Sequence, residues 1–430
     1  MKINILPQLY ILFILSINVF CFGQDNERYW QSHIIDNSSK GADGVRLLDV
    51  NGDGLADVVT GWEQGGITRI YFHPGYEKVT EVWKYVTVGK TPSVEDAVFV
   101  DLDGDGNDDV VSSTEGNSRR VFFHWAPKNK NDYTNSEKWK TEILPIAEQL
   151  TSWMYCLPLQ IDGQNGIDLV IGGKFRSDNK TAKAVLGWFR SPENPRDLSA
   201  WTWHPLTEPI KWIMALRKKD MDGDGAVDII VTDRDECFWL RNPGTKIPDT
   251  ITKHWERITL HAREPLEFPK PFETISTEEQ TVMFGNFADL DQDSLEDFVV
   301  AITPKILLWL RRLDTSGRHW EKYPITYVAD TGSAKGVAEG DVNQDGKPDL
   351  VLFCGGAAEQ KQGGIWLSYD KSPKEPIWKP HILSGPNGKK FDDVYLYDFN
   401  GDGKLDAITT EEQGGSQGNG LGVIWYENPF

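Results

Sequence analysis

The nine residues DVNGDGLAD, 49 to 57, place oxygen-bearing side chains at Asp49, Asn51, Asp53 and Asp57, with Gly52 and Gly54 between them. Carboxylates this close repel by roughly 1 to 4 kcal/mol per pair at effective dielectrics between water and a protein surface, so the arrangement is costly unless a cation sits among them. Hard oxygen ligands at loop positions 1, 3, 5 and 9, with the carbonyl of position 7, suit calcium, and glycine permits the positive φ angles that wrap a chain round an ion. An EF-hand loop would end in glutamate and enter a helix. Here Asp57 runs into VVTGW, a β-branched strand pattern, and VRLL precedes the loop, so it joins two strands.

The phrase is written repeatedly along the chain. It returns as DLDGDGNDD (Asp101, Asp103, Asp105, Asp109), DMDGDGAVD (Asp220, Asp222, Asp224, Asp228), DLDQDSLED (Asp289, Asp291, Asp293, Asp297), DVNQDGKPD (Asp341, Asn343, Asp345, Asp349) and DFNGDGKLD (Asp398, Asn400, Asp402, Asp406). A worn copy, QIDGQNGID, keeps Asp162 and Asp168 but has Gln160 and Gln164 where carboxylates belong, which predicts weak or absent calcium there. About six structural Ca²⁺ sites are expected. A second motif keeps step with the loops, a tryptophan opening a short strand at Trp30, Trp83, Trp139, Trp201, Trp255, Trp320 and Trp378. With the apolar segment between loop and tryptophan, each unit reads as four antiparallel strands. The first tryptophan strand precedes the first loop and GVIWYENPF ends the sequence without one, so the N-terminal strand is expected to complete the last blade and remove the open sheet edges.

With these loops the chain resembles the VCBS and FG-GAP-like repeats, whose acidic loops match those of the integrin α-subunit propeller. The resemblance covers about residues 30 to 430 in all seven units, and it implies an all-β, seven-bladed β-propeller with calcium in its DxDGDG-type loops. The integrin-type words FG and GAP are not clearly present, so no adhesion role is carried over. Propellers with similar loops occur among rhamnogalacturonan lyases and in the dehydratase that acts on aldos-2-uloses, which implies lyase or dehydratase chemistry by analogy.

Continuous repeats argue for one domain, residues 24 to 430, after a leader. Residues 1 to 23 carry Lys2, the apolar run ILPQLYILFILSINVF and small residues at CFG, a secretory signal pattern, and the protein is expected to be secreted or periplasmic. Lipoprotein anchoring at Cys21 is disfavoured because Phe20 stands where a small residue is usual. The remaining Cys156, Cys237 and Cys354 lie in strand patterns and read as small buried residues. No other stretch would span a membrane. The formal charge of −20 argues against nucleic acid and anionic membrane as partners. Six calcium ions would move it to −8, so most of the excess acid belongs to the loops.

The loops join first and second strands and so share one face, which leaves the opposite face for function. Six residues before each loop start stand Asp43, Glu95, Met154, Met214, Met283, Lys335 and Asp392, a ring facing the central channel. Asp43, Glu95, Lys335 and Asp392 are the candidate catalytic residues, acid, base and anion-holding cation in one pocket. Arg46, Asp96, Trp153, Tyr155, Trp212 and Asp393 lie on the same approach. The upper turns add Glu63, Glu115, Lys174, Arg176, Asp233, Arg234, Glu411 and Glu412 as candidates for ligand contact. The connection 261 to 282 is expected to arch over this face and wall the pocket. Against these assignments, turn charges are ordinarily solvated or paired, and the periodic tryptophans are ordinarily blade packing. Three functions fit: a carbohydrate-active lyase, dehydratase or glycosidase; a non-catalytic glycan-binding module; or a protein-binding scaffold. The first is preferred, with a polysaccharide or oligosaccharide as partner. The sequence does not fix an oligomeric state.

Overall fold

The computed structural model describes residues 29–175, 184–244, 253–270, 272–358, 360–413, 418 and 420–430. The leader and Arg176 lie outside them. Among the described residues the strands group into seven four-stranded antiparallel sheets arranged as a propeller. Blade 1 comprises Ala42–Leu48, Asp57–Trp62, Ile67–Phe72 and Lys84–Lys90, and the next five blades repeat it. Blade 7 takes Phe391–Tyr397, Asp406–Glu411 and Gly422–Glu427 from the end of the chain and its outer strand, Gln31–Asp36, from the beginning. The ring is therefore closed by pairing rather than by a loop. The innermost strands of neighbouring blades pack side by side round the axis, that of blade 7 against that of blade 1 included.

The second strand of each blade is buried on both faces, because it lies between sheet neighbours within the blade and between blades above and below. Tryptophans fill the gaps between blades: Trp30, Trp83, Trp139, Trp201, Trp255 and Trp378 are buried, as the repeat period implied, and Trp320 is half-buried. Cys156, Cys237 and Cys354 are buried and unbridged. Among the described residues no helix is long and apolar enough to cross a membrane.

One irregularity repeats with the fold. In every blade the pairing of the innermost strand with the second slips near its start: between Asp43 and Arg46, Val94 and Asp96, Trp153 and Tyr155, Ile213 and Ala215, Val282 and Gly285, Ala334 and Gly336, and Phe391 and Val394. A β-bulge bends the strand and re-aims the side chain it carries. Here it sits at the ring that begins with Asp43.

Candidate functional site

All seven ring residues, Asp43, Glu95, Met154, Met214, Met283, Lys335 and Asp392, line one cavity of about 350 Å³ at the mouth of the central channel. Six residues past loop position 9, the upper turns supply a second ring. Its Glu63, Glu115, Lys174 and Glu412 reach the same cavity, and Lys390 and Trp212 complete the rim.

The charged side is built from blades 6, 7, 1 and 2. Lys335 Nζ lies 3.2 Å from Asp392 and 3.8 Å from Glu412, and Lys390 pairs with Glu412 from the other side. Carboxylate oxygens of Asp43, Asp392 and Glu412 converge within 4.8 Å of one another. Burial, reinforced by the negative charge of Asp392 and a hydrogen bond to it, pushes Asp43 well above the usual carboxylate range. Burial acts the same way on Asp392. Lys335, the hydrogen bond with Asp43 and Lys390 outweigh it and hold Asp392 below that range. Neighbouring carboxyls thus hold their protons very differently. One blade further on, Glu63, Glu95 and Glu115 form a second cluster, with Lys174 3.3 Å from Glu95 and also paired with Glu115. Burial raises Glu95 well above its ordinary value, against the pull of Lys174.

Below the ring the channel is shut. Arg217 of blade 4 reaches Asp393 of blade 7 at 2.7 Å, so this ion pair crosses the axis. Arg46 pairs with Asp96 at 2.8 Å, donates to the Tyr395 hydroxyl at 3.1 Å and lies over the Tyr155 ring at 4.3 Å. Two arginines and two aspartates balance one another in this floor, and the cavity is blind.

Some expected residues stand elsewhere. Trp153 is fully buried, donates Nε1 to the Ala147 carbonyl at 3.0 Å and packs on Phe189 and Trp203, because it precedes the bulge and points away from the axis. Glu411 is also buried and accepts backbone amides of Lys389, Lys390, Gln413 and Leu421, so it shapes the turn while Glu412 faces the cavity. Arg234 stands 5.2 Å from the Trp212 ring, outside the lining. Asp233 is buried and accepts the Lys211 amide. None of the described residues of 261–282 lines the cavity, and Leu266 and Phe268 pack into the core between blades 4 and 5 instead. Lys390, Phe284 and Arg217 were not anticipated. The period alone would have selected Glu412 over Glu411, since it matches Glu63 and Glu115 in register.

On the opposite face, the loops are wrapped by their own carboxylates. Asp49 accepts the amides of Gly52 at 2.7 Å and Gly54 at 2.8 Å, and those glycines have φ of 84° and 86°. The aspartate at position 9 is a backbone acceptor. Asp57 accepts amides from Val50 and His73, tying the loop to the third strand, and Asp109, Asp228 and Asp406 repeat this. In the loops at 101, 220 and 289, carboxylate oxygens of positions 1, 3 and 9 lie within 4.8 Å of one another. Asp291 Oδ1 is buried with no hydrogen-bond partner among the described residues, which suits a hard cation. The worn loop is filled differently. Gln160 Nε2 donates to the carbonyls of Gln164 at 3.0 Å and Gly166 at 2.5 Å, and Arg190 pairs with Asp162 at 2.6 Å. The donating amide at position 1 sets this loop apart, whereas the guanidinium does not, since Arg241 pairs with Asp222 and Asp224 and Arg311 with Asp291 and Asp293 in the loops at 220 and 289.

The FG-GAP-like repeat family matches residues 49–112 and 289–352, which hold the first and second loops and the fifth and sixth, with the strands between them. The chain carries FG-GAP-like repeats. No curated protein matches it. Solved structures similar to this FG-GAP-like propeller include YCF48 from Cyanidioschyzon merolae, with 10% identity, a TM-score of 0.51, and coverage of 94% of this chain and 99% of that one. Another is BBS1N in complex with ARL6DN, soaked with mercury, with 10% identity, a TM-score of 0.49, and coverage of 93% and 97%. At that identity the likeness to YCF48 is one of fold.

Proposed function

We propose that the blind funnel is an acid–base site for a carbohydrate, at which water or an alcohol is eliminated beside a carbonyl or carboxylate of the sugar. One observation carries this reading. Glu412 Oε1 is buried at the cavity wall and accepts no hydrogen bond from any described residue, since Lys335 Nζ stands 3.8 Å away and is paired with Asp392 Oδ1 at 3.2 Å. An acceptor left without a donor costs roughly 1 to 3 kcal/mol, and a sugar hydroxyl is a donor. Asp43, which keeps its proton, is beside Glu412.

The chemistry follows from the protonation pattern. Glu95, when ionised, is a stronger base than a carboxylate in water and takes the proton beside the carbonyl. The electron pair left behind forms an enolate, which the ammonium groups of Lys335 and Lys174 stabilise. The double bond forms as the leaving hydroxyl departs with the proton of Asp43. Calcium, about six ions in the loops of the opposite face, is proposed as structural, since those loops lie at the far ends of the inner strands. The test is ultraviolet absorbance of a new double bond on incubation with uronic-acid polysaccharides and with 2-keto sugars. The signal is expected with the wild type and not with Asp43→Asn or Glu95→Gln. Absence of both turnover and sugar binding would overturn the proposal.

A further inference from the structure

The cavity has two unlike halves. The ring position that is charged in blades 6, 7, 1 and 2 is methionine in the three consecutive blades 3, 4 and 5, at Met154, Met214 and Met283. All three are partly exposed at the cavity and rest on the apolar cores of their blades, and Phe284 joins them. Lys174, the upper-turn residue of blade 3, leans over the Trp212 ring toward Glu95 and Glu115, so its ammonium belongs to the charged half. The apolar arc therefore faces the carboxyl clusters across the cavity.

Two further constraints bear on what enters. The floor pair Arg217–Asp393 closes the channel, and the reactive carboxyls Asp43 and Asp392 are buried below the rim. An interior unit of a long chain, with sugars attached on both sides, does not reach them. A volume of about 350 Å³ lies at the lower end of ligand pockets, roughly 300 to 1,000 Å³.

Resting on the carbohydrate reading above, we infer that the funnel takes a single or terminal sugar end-on, and that this sugar carries an apolar edge, a methyl group in place of a hydroxymethyl or hydroxyl, which seats on Met154, Met214 and Met283. Its hydroxylated edge then meets Asp392 and Glu412. A hydroxyl turned toward the methionines would lose water without gaining a partner, whereas a methyl group there is removed from water against polarisable thioethers.

The inference is tested by calorimetric binding of the methyl glycosides of glucose, galactose and mannose, each beside its deoxy counterpart lacking the terminal hydroxyl. At least one deoxy sugar is expected to bind the wild type about tenfold more tightly than its parent, the discrimination one small group provides in an apolar pocket. Met214→Gln and Met283→Gln should abolish that preference, and Met214→Leu should keep it, with melting temperatures followed to show that each variant is folded. Sugars bound without preference, or a preference that survives both glutamine variants, would overturn the inference and leave the carbohydrate reading standing. No binding of any sugar would overturn both.

Discussion

Lys335 of blade 6 and Asp392 of blade 7 stand 3.2 Å apart across the seam between their blades, both buried at the cavity wall. The pair lies in the interior, where removing one partner of an ion pair strands the other's charge and costs about 3 to 5 kcal/mol.

Lys335→Met is therefore expected to destabilise the fold by that order at neutral pH. Asp392 is held below its ordinary value in the folded chain, so its stabilising contribution is present above the unfolded value of about 4 and is lost as pH falls through the folded one. The variant lacks that contribution, so its deficit should be full above about pH 4 and narrow as pH falls below it. Urea unfolding at acid and neutral pH measures this, and a deficit independent of pH would contradict the assigned pairing.

Asp43 behaves in the opposite sense. Its folded value is raised, so it favours the fold below about pH 4 and that contribution is lost as pH rises through the raised value. Asp43→Asn cannot ionise. The variant should gain stability relative to the wild type as pH rises, while turnover in the proposed elimination falls by about 10²- to 10⁴-fold. Equal pH dependence of melting in the two proteins would show that Asp43 is not the proton-bearing partner.

Chelation should lower the melting temperature, since a ligand that binds only the folded state stabilises it by about 2.7 kcal/mol at a hundred times its Kd. Asp222→Ala should bind one calcium fewer by calorimetric titration. Gln164→Ala should bind the same number as the wild type, because the Gln160 amide already donates to the carbonyls of Gln164 and Gly166 in that loop. A loss of one ion in both variants would count against this division of the loops.

In the loop at 289, Gln292 and Ser294 take φ of 56° and 69° at positions where the loops at 49, 101, 220 and 398 have glycine. A left-handed conformation costs a residue with a Cβ roughly 1 to 2 kcal/mol. Part of this is offset by the greater freedom of glycine in the unfolded chain, so Ser294→Gly should stabilise by about 0.5 to 1 kcal/mol. A lowered denaturation midpoint would refute it.

Ring closure predicts a large effect at the N-terminal strand. Trp30 is buried and its amide donates to the Leu383 carbonyl at 2.9 Å, while Asp36 pairs with Arg69 at 2.6 Å and accepts from the Tyr71 hydroxyl at 2.8 Å. Trp30→Ala should cost about 3 to 5 kcal/mol. Removal of residues 24–36 should cost more. A melting curve unchanged by the deletion would mean that blade 7 is stable without its outer strand.

The repeat decided most of the architecture by itself. A loop that must curl round its own carboxylates, with β-branched residues on both sides, can only join two strands, and its sevenfold return with a tryptophan strand in step fixes blade number and closure. The same period placed Asp43, Glu95, Lys335 and Asp392 together, because equivalent positions of a closed ring meet at its axis. Direction was decided only in three dimensions. Trp153 and Met154 are adjacent, as are Glu411 and Glu412, and a strand turns successive side chains to opposite faces, so which of each pair meets the cavity depends on where the bulge or the turn sets the register. Partner choice was equally hidden. Arg217 meets Asp393 across 176 residues of sequence, and Lys174 meets Glu95 across 79. Such pairs are made by blades closing on a common axis, where buried charges must find one another, and no local pattern records that distance.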